Sequence, residues 1–409
     1  MASQRDDKRN RRRRQKNLYP KLALAGVILV LTAVMLFVLS RRSEPAPGES
    51  TEGSTAATEA TTVIHIAAAG DLNVTENVIA SGKTNAGFDF ANAFVDVAPL
   101  LGGADLTVLN FEGVLAGEPY GQDGSAPAEL AKMLKNLGVD MVQTANSASI
   151  RRGLLGLQAT LNGLREQKLE PLGTYSSNAD FRARQGYVIR EVNGIRIAFV
   201  AFTKGMDNLG LPQGSENCVN VLYTDYASTY REIDTARIQT VLRAAQRETP
   251  DITIAMVHWG SEYNDQVSSS QKKIRDLMLS GGVDVILGTH PHLVQSVDFD
   301  AEAGTLVAYS LGDFFGDAQQ PGSAYSLVLD LEITKDNTTG KTSVTSWSYT
   351  PIYTIQGQDS FSGKLQVVRL REAVALYESN FIGSVPESVY KNMRTALTRI
   401  EARLNATVE

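Results

Sequence analysis

The chain has 409 residues, 43% hydrophobic and 21% charged, a balance that fits a globular protein with a sizeable core in one large domain or two smaller ones. The formal net charge of −6 conceals an asymmetry: residues 1–42 hold eleven Lys/Arg against two Asp, which leaves −15 on the rest. An acidic body argues against nucleic-acid binding, which needs basic surface to neutralise phosphates, and the single cysteine, Cys218, excludes an intrachain disulfide.

In chain order, residues 1–21 are a basic block centred on Lys8-Arg9 and Arg11 to Arg14. Leu22 to Ser40 follows without a charge, roughly 28 Å of helix at the usual rise, about the thickness of a bilayer's hydrocarbon core. The excess of positive charge before it predicts a transmembrane signal anchor with a cytoplasmic N-terminus and the body outside. A cleavable signal peptide is the competing reading; the apolar run is long for one, and Ser40-Arg41-Arg42 does not resemble its cleavage site. Residues 41–62, rich in Ser, Thr, Glu, Ala, Pro and Gly, read as a flexible extracytoplasmic stalk.

The body starts at Val63 and alternates strands with helices, the signature of an α/β fold. Strands are expected at Val63–Ala69, Leu106–Leu109, Asp140–Thr144, Ile252–Val257 and Val283–Leu287, and helices at 88–101, 128–137, 154–167, 234–247 and 268–279. Asn193-Gly194 predicts a hairpin between Tyr187–Val192 and Arg196–Phe202. Antiparallel sheet is expected over 293–299, 305–311, 325–333 and 343–353, with helices over 364–378 and 386–404. The domain divides as a body over 63–355 and a helical extension over 356–409.

Five strand ends carry polar side chains: Asp71, Asn110 with Glu112, Asn146, His258, and His290 with His292. Open α/β sheets bind ligands at the carboxyl ends of their strands, and three of the chain's four histidines are placed there. Imidazoles with an Asp and a Glu suit Mn, Fe or Zn better than Ca or Mg. Blander readings stand beside this one. The His290-Pro291-His292 turn can satisfy its own imidazoles, Asp71 can cap a turn, Asn146 can brace a loop, and Arg151-Arg152 can open a solvated helix. His65, inside the first strand, reads as a surface or packed histidine, and Cys218 as structural.

Gly70-Asp71, Asn110-Phe111-Glu112, Ala145-Asn146, His258-Trp259-Gly260-Ser261-Glu262-Tyr263, Gly288-Thr289-His290-Pro291-His292 and Tyr309-Ser310-Leu311-Gly312-Asp313-Phe314, in this order, resemble the CapA family of capsule and poly-γ-glutamate biosynthesis proteins, relatives of the calcineurin-like metallophosphoesterases. The resemblance implies a four-layer α/β/β/α sandwich, a membrane-anchored extracytoplasmic body and a centre for two divalent ions that would activate a water. It places Asp71 and His292 on one ion and His258 and His290 on the other. Glu112 bridges them, Asn146 is a further ligand, and Asn110 orients Glu112. Asn110, Trp259, Glu262 and Tyr263 line the pocket, as does Arg151, which stands at an acidic position of the family and with Arg152 could hold an anionic ligand; Asp71, Glu112, His258 and His290 carry any catalysis. Where the family has Ala-Asn-Asn-His this chain has Ala145-Asn146-Ser147-Ala148, which implies one weakened metal site and a missing acid; Asp313 stands where the family has Asn. The expected partners are the membrane through residues 22–40 and an anionic envelope polymer or polymer-synthesis proteins. The readings left open are a hydrolase, a degenerate pseudoenzyme that binds polymer or an assembly partner, and a solute-binding receptor.

Overall fold

Successive side chains of the first strand, β1 (Thr61–Asn73), alternate between two interiors. Ile64, Ile66 and Ala68 point into one hydrophobic cluster and Ala67 and Ala69 into another, which Leu72 also joins because the register shifts between Ala68 and Asp71. A computed structural model describes this chain at residues 60–318, 320–360, 362–379 and 385–405. All of these belong to the second of two compact units, residues 58–409. The basic tail, the apolar 22–40 segment and all but the end of the expected stalk lie outside the described residues; Thr61 and Thr62, expected in the stalk, open β1.

The strands after β1 are β2 (Lys83–Thr84), β3 (Gly87–Phe88), β4 (Leu106–Glu112), β5 (Met141–Gln143), β6 (Glu170–Leu172), β7 (Tyr187–Val192) and β8 (Ile195–Thr203). Then come β9 (Ile252–His258), β10 (Val285–Thr289), β11 (Val297–Asp300), β12 (Thr305–Ala308), β13 (Asp313–Phe315), β14 (Tyr325–Asp336), β15 (Thr342–Ile355) and β16 (Gln366–Arg369). One sheet runs β16-β15-β14-β1-β4-β5-β6, with β13 pairing on β1; the other runs β11-β12-β10-β9-β8-β7. Both are mixed. The β1-β4-β5-β6 and β8-β9-β10-β12 ladders are parallel, and the outer strands β14 to β16, β7 and β11 are antiparallel.

One cluster joins Ile64, Ile66, Val108 and Leu329 of the first sheet to Ile197, Phe199, Ile254 and Leu287 of the second, so the sheets pack face to face. On the opposite face of the first sheet lie helical residues Leu130, Leu134 and Leu164, and on that of the second Ile238, Leu242, Ile274 and Met278. The layers are therefore helix, sheet, sheet, helix. Each buried aliphatic side chain contributes about 1.5–3 kcal/mol, which explains why the strands read as near-continuous apolar runs.

The predicted helices 128–137, 154–167, 234–247 and 268–279 form at Ala128–Asn136, Gly153–Glu166, Thr235–Gln246 and Ser269–Ser280. Asp234 caps the third, and Ser268 with Gln271 forms a capping box on the fourth. The Asn193-Gly194 turn has both residues at positive φ, 49° and 82°, as a two-residue hairpin requires.

Two helix expectations are corrected. Residues 88–101 do not form one helix: Phe88 pairs with Lys83 in the β2-β3 ribbon, a short 3₁₀ turn covers Ala91–Phe94, and a helix starts afresh at Ala98–Gly102. Pro99 lacks the N–H an interior position needs, and it sits in the first turn of that new helix, where none is required. Residues 364–378 are split as well. Gln366–Arg369 pairs with β15 as an edge strand, and the helix begins at Leu370. Among the described residues no helix is long and apolar enough to cross a membrane.

Candidate metal centre

The carboxyl ends of β1, β4 and β5 in one sheet meet those of β8, β9 and β10 in the other. Parallel register sets Asp71 beside Asn110 on β1-β4, and Thr203, His258 and Thr289 side by side on β8-β9-β10. Gln143 at the end of β5 ties the two sheets: its amide donates to Ala145 O and Phe202 O, and its Oε1 accepts from Thr289 Oγ1. At Gly288 a Cβ would lie 2.0 Å from Tyr309 O and 2.7 Å from Trp259 Nε1, so glycine is what allows β10 to run close enough to deliver its histidines. His290 and His292 sit at φ 92° and 56°, and Tyr263 at φ 55°, sparsely populated conformations held by the packing around them.

On the first sheet the polar groups are chained. Asn146 Nδ2 donates to Asn110 Oδ1 (2.9 Å) and Phe111 O (2.7 Å), while its Oδ1 accepts from Ala148 N. Asn110 Nδ2 donates to Asp71 Oδ1 (2.6 Å), and His290 N–H donates to Asp71 Oδ2 (3.1 Å). Asn110 thus orients Asp71, not Glu112 as the resemblance implied. Burial raises the Asp71 carboxyl to about 7 against the pull of His292. For Glu112 burial works the other way from the three neighbouring imidazoles, and the imidazoles win, holding it well below the usual carboxylate range.

On the second sheet the nitrogens are left open. Thr203 Oγ1 donates to Gly205 O, so its contact with His258 Nδ1 (3.1 Å) is an N–H donated by the imidazole. His258 Nε2 then carries the lone pair. It faces Glu112 Oε1 at 3.7 Å, beyond hydrogen-bond reach, and has no hydrogen-bond partner. His290 Nδ1 and Glu112 Oε2 are also buried without one. The two rings lie 4.3 Å apart, and burial lowers both pKa values, His290 the further, which keeps both imidazoles neutral. His292 behaves oppositely: burial disfavours its charge, but Asp313 Oδ1 at 2.7 Å and Asp71 Oδ2 at 3.7 Å raise it well above the ordinary value.

Three orphaned buried atoms at the strand ends of two sheets are a costly arrangement for a protein alone and a suitable one for a cation. The donor set, two neutral imidazoles and an ionised carboxylate, fits a divalent transition ion. Asp71, His292 and Asp313 offer ligand atoms within 4.8 Å of one another, as do Glu262, His290 and His292.

Two clefts open beside this cluster. One of about 420 Å³ is lined by Glu112, His292, Arg151, Glu262 and Tyr263 among others. The other, of about 290 Å³, is lined by Ser147, Lys204, Asp207, Glu262 and His290 with neighbours. Arg151 is held by Asp207 through Nε (3.1 Å) and Nη2 (2.8 Å). Trp259 does not line a cleft, contrary to expectation. It is fully buried, stacks on Tyr309 and donates Nε1–H to Tyr309 O, because the residue after His258 faces the helices. Asn110 is likewise buried behind Asp71. His65 lies apart on the outer face, paired with Asp330, and Cys218 is buried in a separate small cluster. Sequence reasoning passed over Thr203 and Lys204, although polar residues closing the strand beside His258 were a usable signal.

This is a two-sheet α/β protein that gathers imidazoles and carboxylates at its strand ends. It belongs to the bacterial capsule synthesis protein PGA_cap family, whose profile matches residues 65–318. It is 27% identical over 258 residues to the PGA biosynthesis protein CapA of Bacillus subtilis (strain 168), covering 62% of this chain and 63% of that protein. To the capsule biosynthesis protein CapA of Bacillus anthracis it is 27% identical over 193 residues, covering 47% and 44%. The chain thus spans less than two thirds of the length of either relative. Among solved structures, the calcineurin-like phosphoesterase YfkN from Bacillus subtilis matches at 16% identity and a TM-score of 0.42, over 71% of this chain and 90% of that one, a likeness too low to carry fold or function.

Proposed function

We propose that the chain is a membrane-anchored protein of capsule, poly-γ-glutamate or other envelope-polymer biosynthesis, whose extracytoplasmic body acts as a metal-dependent hydrolase of the metallophosphoesterase type. Family membership and the two CapA relatives support the biosynthetic reading. The apolar 22–40 segment behind its basic tail supports the anchor. The observation that carries the metal reading is the pair of compact ligand sets, Asp71–His292–Asp313 and Glu262–His290–His292, beside Glu112 Oε2, His258 Nε2 and His290 Nδ1, which are all buried and all unpartnered.

Glu112, His258 and His290 would hold one divalent ion, Mn, Fe or Zn, and Asp71 with His292 a second. Such ions supply Lewis acidity toward a phosphoryl oxygen and activation of water near neutral pH. The chain's own residues prepare the site. Thr203 fixes the His258 tautomer, Asp313 orients the His292 ring, and Asn146 and Asn110 aim Asp71. Tyr263 N–H donates to Pro291 O and clasps its loop onto the His-Pro-His turn.

A second reading has an observation of its own. Ala148 is fully buried and Ser147 is short, so that strand end offers no acid for a leaving oxygen. Loss of a general acid costs about 10²–10⁴-fold in rate, and the body would then serve as a binding module for polymer or an assembly partner. Elemental analysis of the full chain in detergent, with bis-p-nitrophenyl phosphate hydrolysis assayed in added Mn²⁺, separates the cases. The hydrolase reading expects at least one bound transition metal per chain and metal-dependent turnover. Bound metal without turnover favours the binding module, and neither metal nor turnover sinks the metal reading.

A further inference from the structure

The second cleft holds a cation that the centre described so far does not use. Strand β8 ends at Thr203, opposite His258, and the next residue donates its backbone N–H to His258 O at 2.7 Å. Its side chain, Lys204, is thereby delivered to the His290 side of the centre. There it lines the 290 Å³ cleft together with Ser147, Asp207, Glu262 and His290. Lys204 Nζ lies 4.7 Å from the Tyr230 ring centroid and donates to Gly260 O at 2.8 Å. An ammonium carries three N–H donors, and among the described residues Gly260 O takes one. Two remain.

The alternatives for holding negative charge here are weak. Arg151 faces the other cleft and already grips Asp207 with two nitrogens. Arg152 pairs with Asp123 and donates to Pro119 O and Gln122 O. Ser147 offers a single short hydroxyl. Any anionic ligand that touches His290 from this side would otherwise meet Glu262 and Asp207, which repel it. The Lys204 charge is close enough to weigh on both His258 and His290, each already lowered by burial.

We propose that Lys204 is the oxyanion-binding residue of this centre, donating its free N–H groups to a phosphate or carboxylate oxygen of a ligand seated in the Ser147–His290 cleft. The proposal deepens the metal-dependent reading and names the ligand class of the same site. It assigns to the β8 end the charge that the strand end at Ser147 and Ala148 does not provide. A lysine on a partly buried stem acts as a point charge, so it suits an oxyanion of either geometry and sets charge preference more than shape.

The test compares the full chain in detergent with Lys204→Gln and Lys204→Arg. Glutamine keeps a donor for Gly260 O and removes the charge, so a purely structural strut survives it. Inorganic phosphate and, separately, acetate are titrated calorimetrically with saturating Mn²⁺ and again after chelation, and Mn²⁺ stoichiometry and melting temperature are read on each variant. The expected result is unchanged Mn²⁺ stoichiometry and melting, with phosphate affinity weakened about tenfold in Lys204→Gln and retained in Lys204→Arg, the scale of one charge-assisted hydrogen bond. A Lys204-dependent loss seen with acetate and not phosphate assigns the site to carboxylates. Equal affinities in the parent and Lys204→Gln, or no binding of either anion by the parent, overturn the proposal. If the parent binds no Mn²⁺ yet takes phosphate in a Lys204-dependent way, the metal reading falls and the oxyanion site stands.

Discussion

The two sheets contribute to the centre in opposite ways. On the first, Asn146, Asn110 and Asp71 are linked in a closed chain of hydrogen bonds. On the second, His258 and His290 arrive with their Nε2 and Nδ1 atoms unpartnered, and Glu112 crosses from the first sheet with one free oxygen to meet them. A saturated network is rigid and specifies position, whereas an unsaturated one is costly until something fills it. The first sheet therefore serves as the frame of the site, and the second, with Glu112, as its opening toward a ligand.

The sharpest way to break that contrast is to remove an open donor. His290→Ala deletes one of the three orphaned atoms and should weaken divalent-metal binding by about 100-fold or more, beyond the roughly 10–100-fold typical of outer-shell partners. Equilibrium dialysis with Mn²⁺ reads this directly. Metal binding indistinguishable from the parent would mean that His290 is not a ligand and that its free nitrogen is a packing accident.

Protons compete for the same atoms, and here the sheets should separate by pH. His258 and His290 are already neutral at neutral pH, so the second sheet's donors are ready. Asp71, raised to about 7 by burial, and His292, raised by Asp313 and Asp71, hold protons that a cation must displace. Metal binding therefore releases protons, and apparent affinity rises with pH up to and beyond 7 and falls below it, by about tenfold per pH unit for each proton displaced. Titrations between pH 6 and 8 check this. A flat profile would confine binding to the His258–His290–Glu112 side.

The frame is probed by Asn146→Ala. Its amide donates to Asn110 and Phe111, so truncation strands two buried acceptors at a cost of about 1–3 kcal/mol. Chemical denaturation should show that loss, with a smaller effect on metal affinity because Asn110 still reaches Asp71. A metal defect without a stability defect would make Asn146 a ligand in its own right.

How legible the centre was in the sequence follows the same division. Scarce histidines closing apolar runs marked the open side plainly, since a strand end has one exit and the residue there must enter the crevice. Partners on the frame were harder to read. Whether Asn110 bonds Asp71 or Glu112 depends on the register between β1 and β4, which no local pattern encodes. Trp259 was misplaced because one residue beyond a strand end reverses the direction of a side chain. The parallel strands and their helices were readable from periodicity, whereas Gln366–Arg369 became a strand because β15 offered a free edge, a tertiary choice that overrides local preference.

The smallest expected effect concerns a part of the chain beyond residues 65–318, where the family profile ends. In the helix Glu387–Asn405, Val389, Met393, Ala396, Ile400 and Leu404 form a stripe that packs into the inter-sheet core cluster. Near its end Arg403 reaches Val294 O with one nitrogen and the Asp265 carboxylate with another. Both targets belong to the site's surroundings. Asp265 follows Glu262 and Tyr263, Val294 follows His292, and the buried Gln295 amide already ties the two loops by donating to Asn264 O and Gln266 O. Arg403→Ala should cost about 1 kcal/mol, since Asp265 is partly exposed and Gln295 and Gln271 remain. Hydrogen exchange should quicken at 261–267 more than at 70–73 or 110–112, because the loosened segment is the one that covers the open side, while the frame keeps its own bonds. Equal quickening at both would mean that the helix stabilises the whole body and has no particular grip on the site.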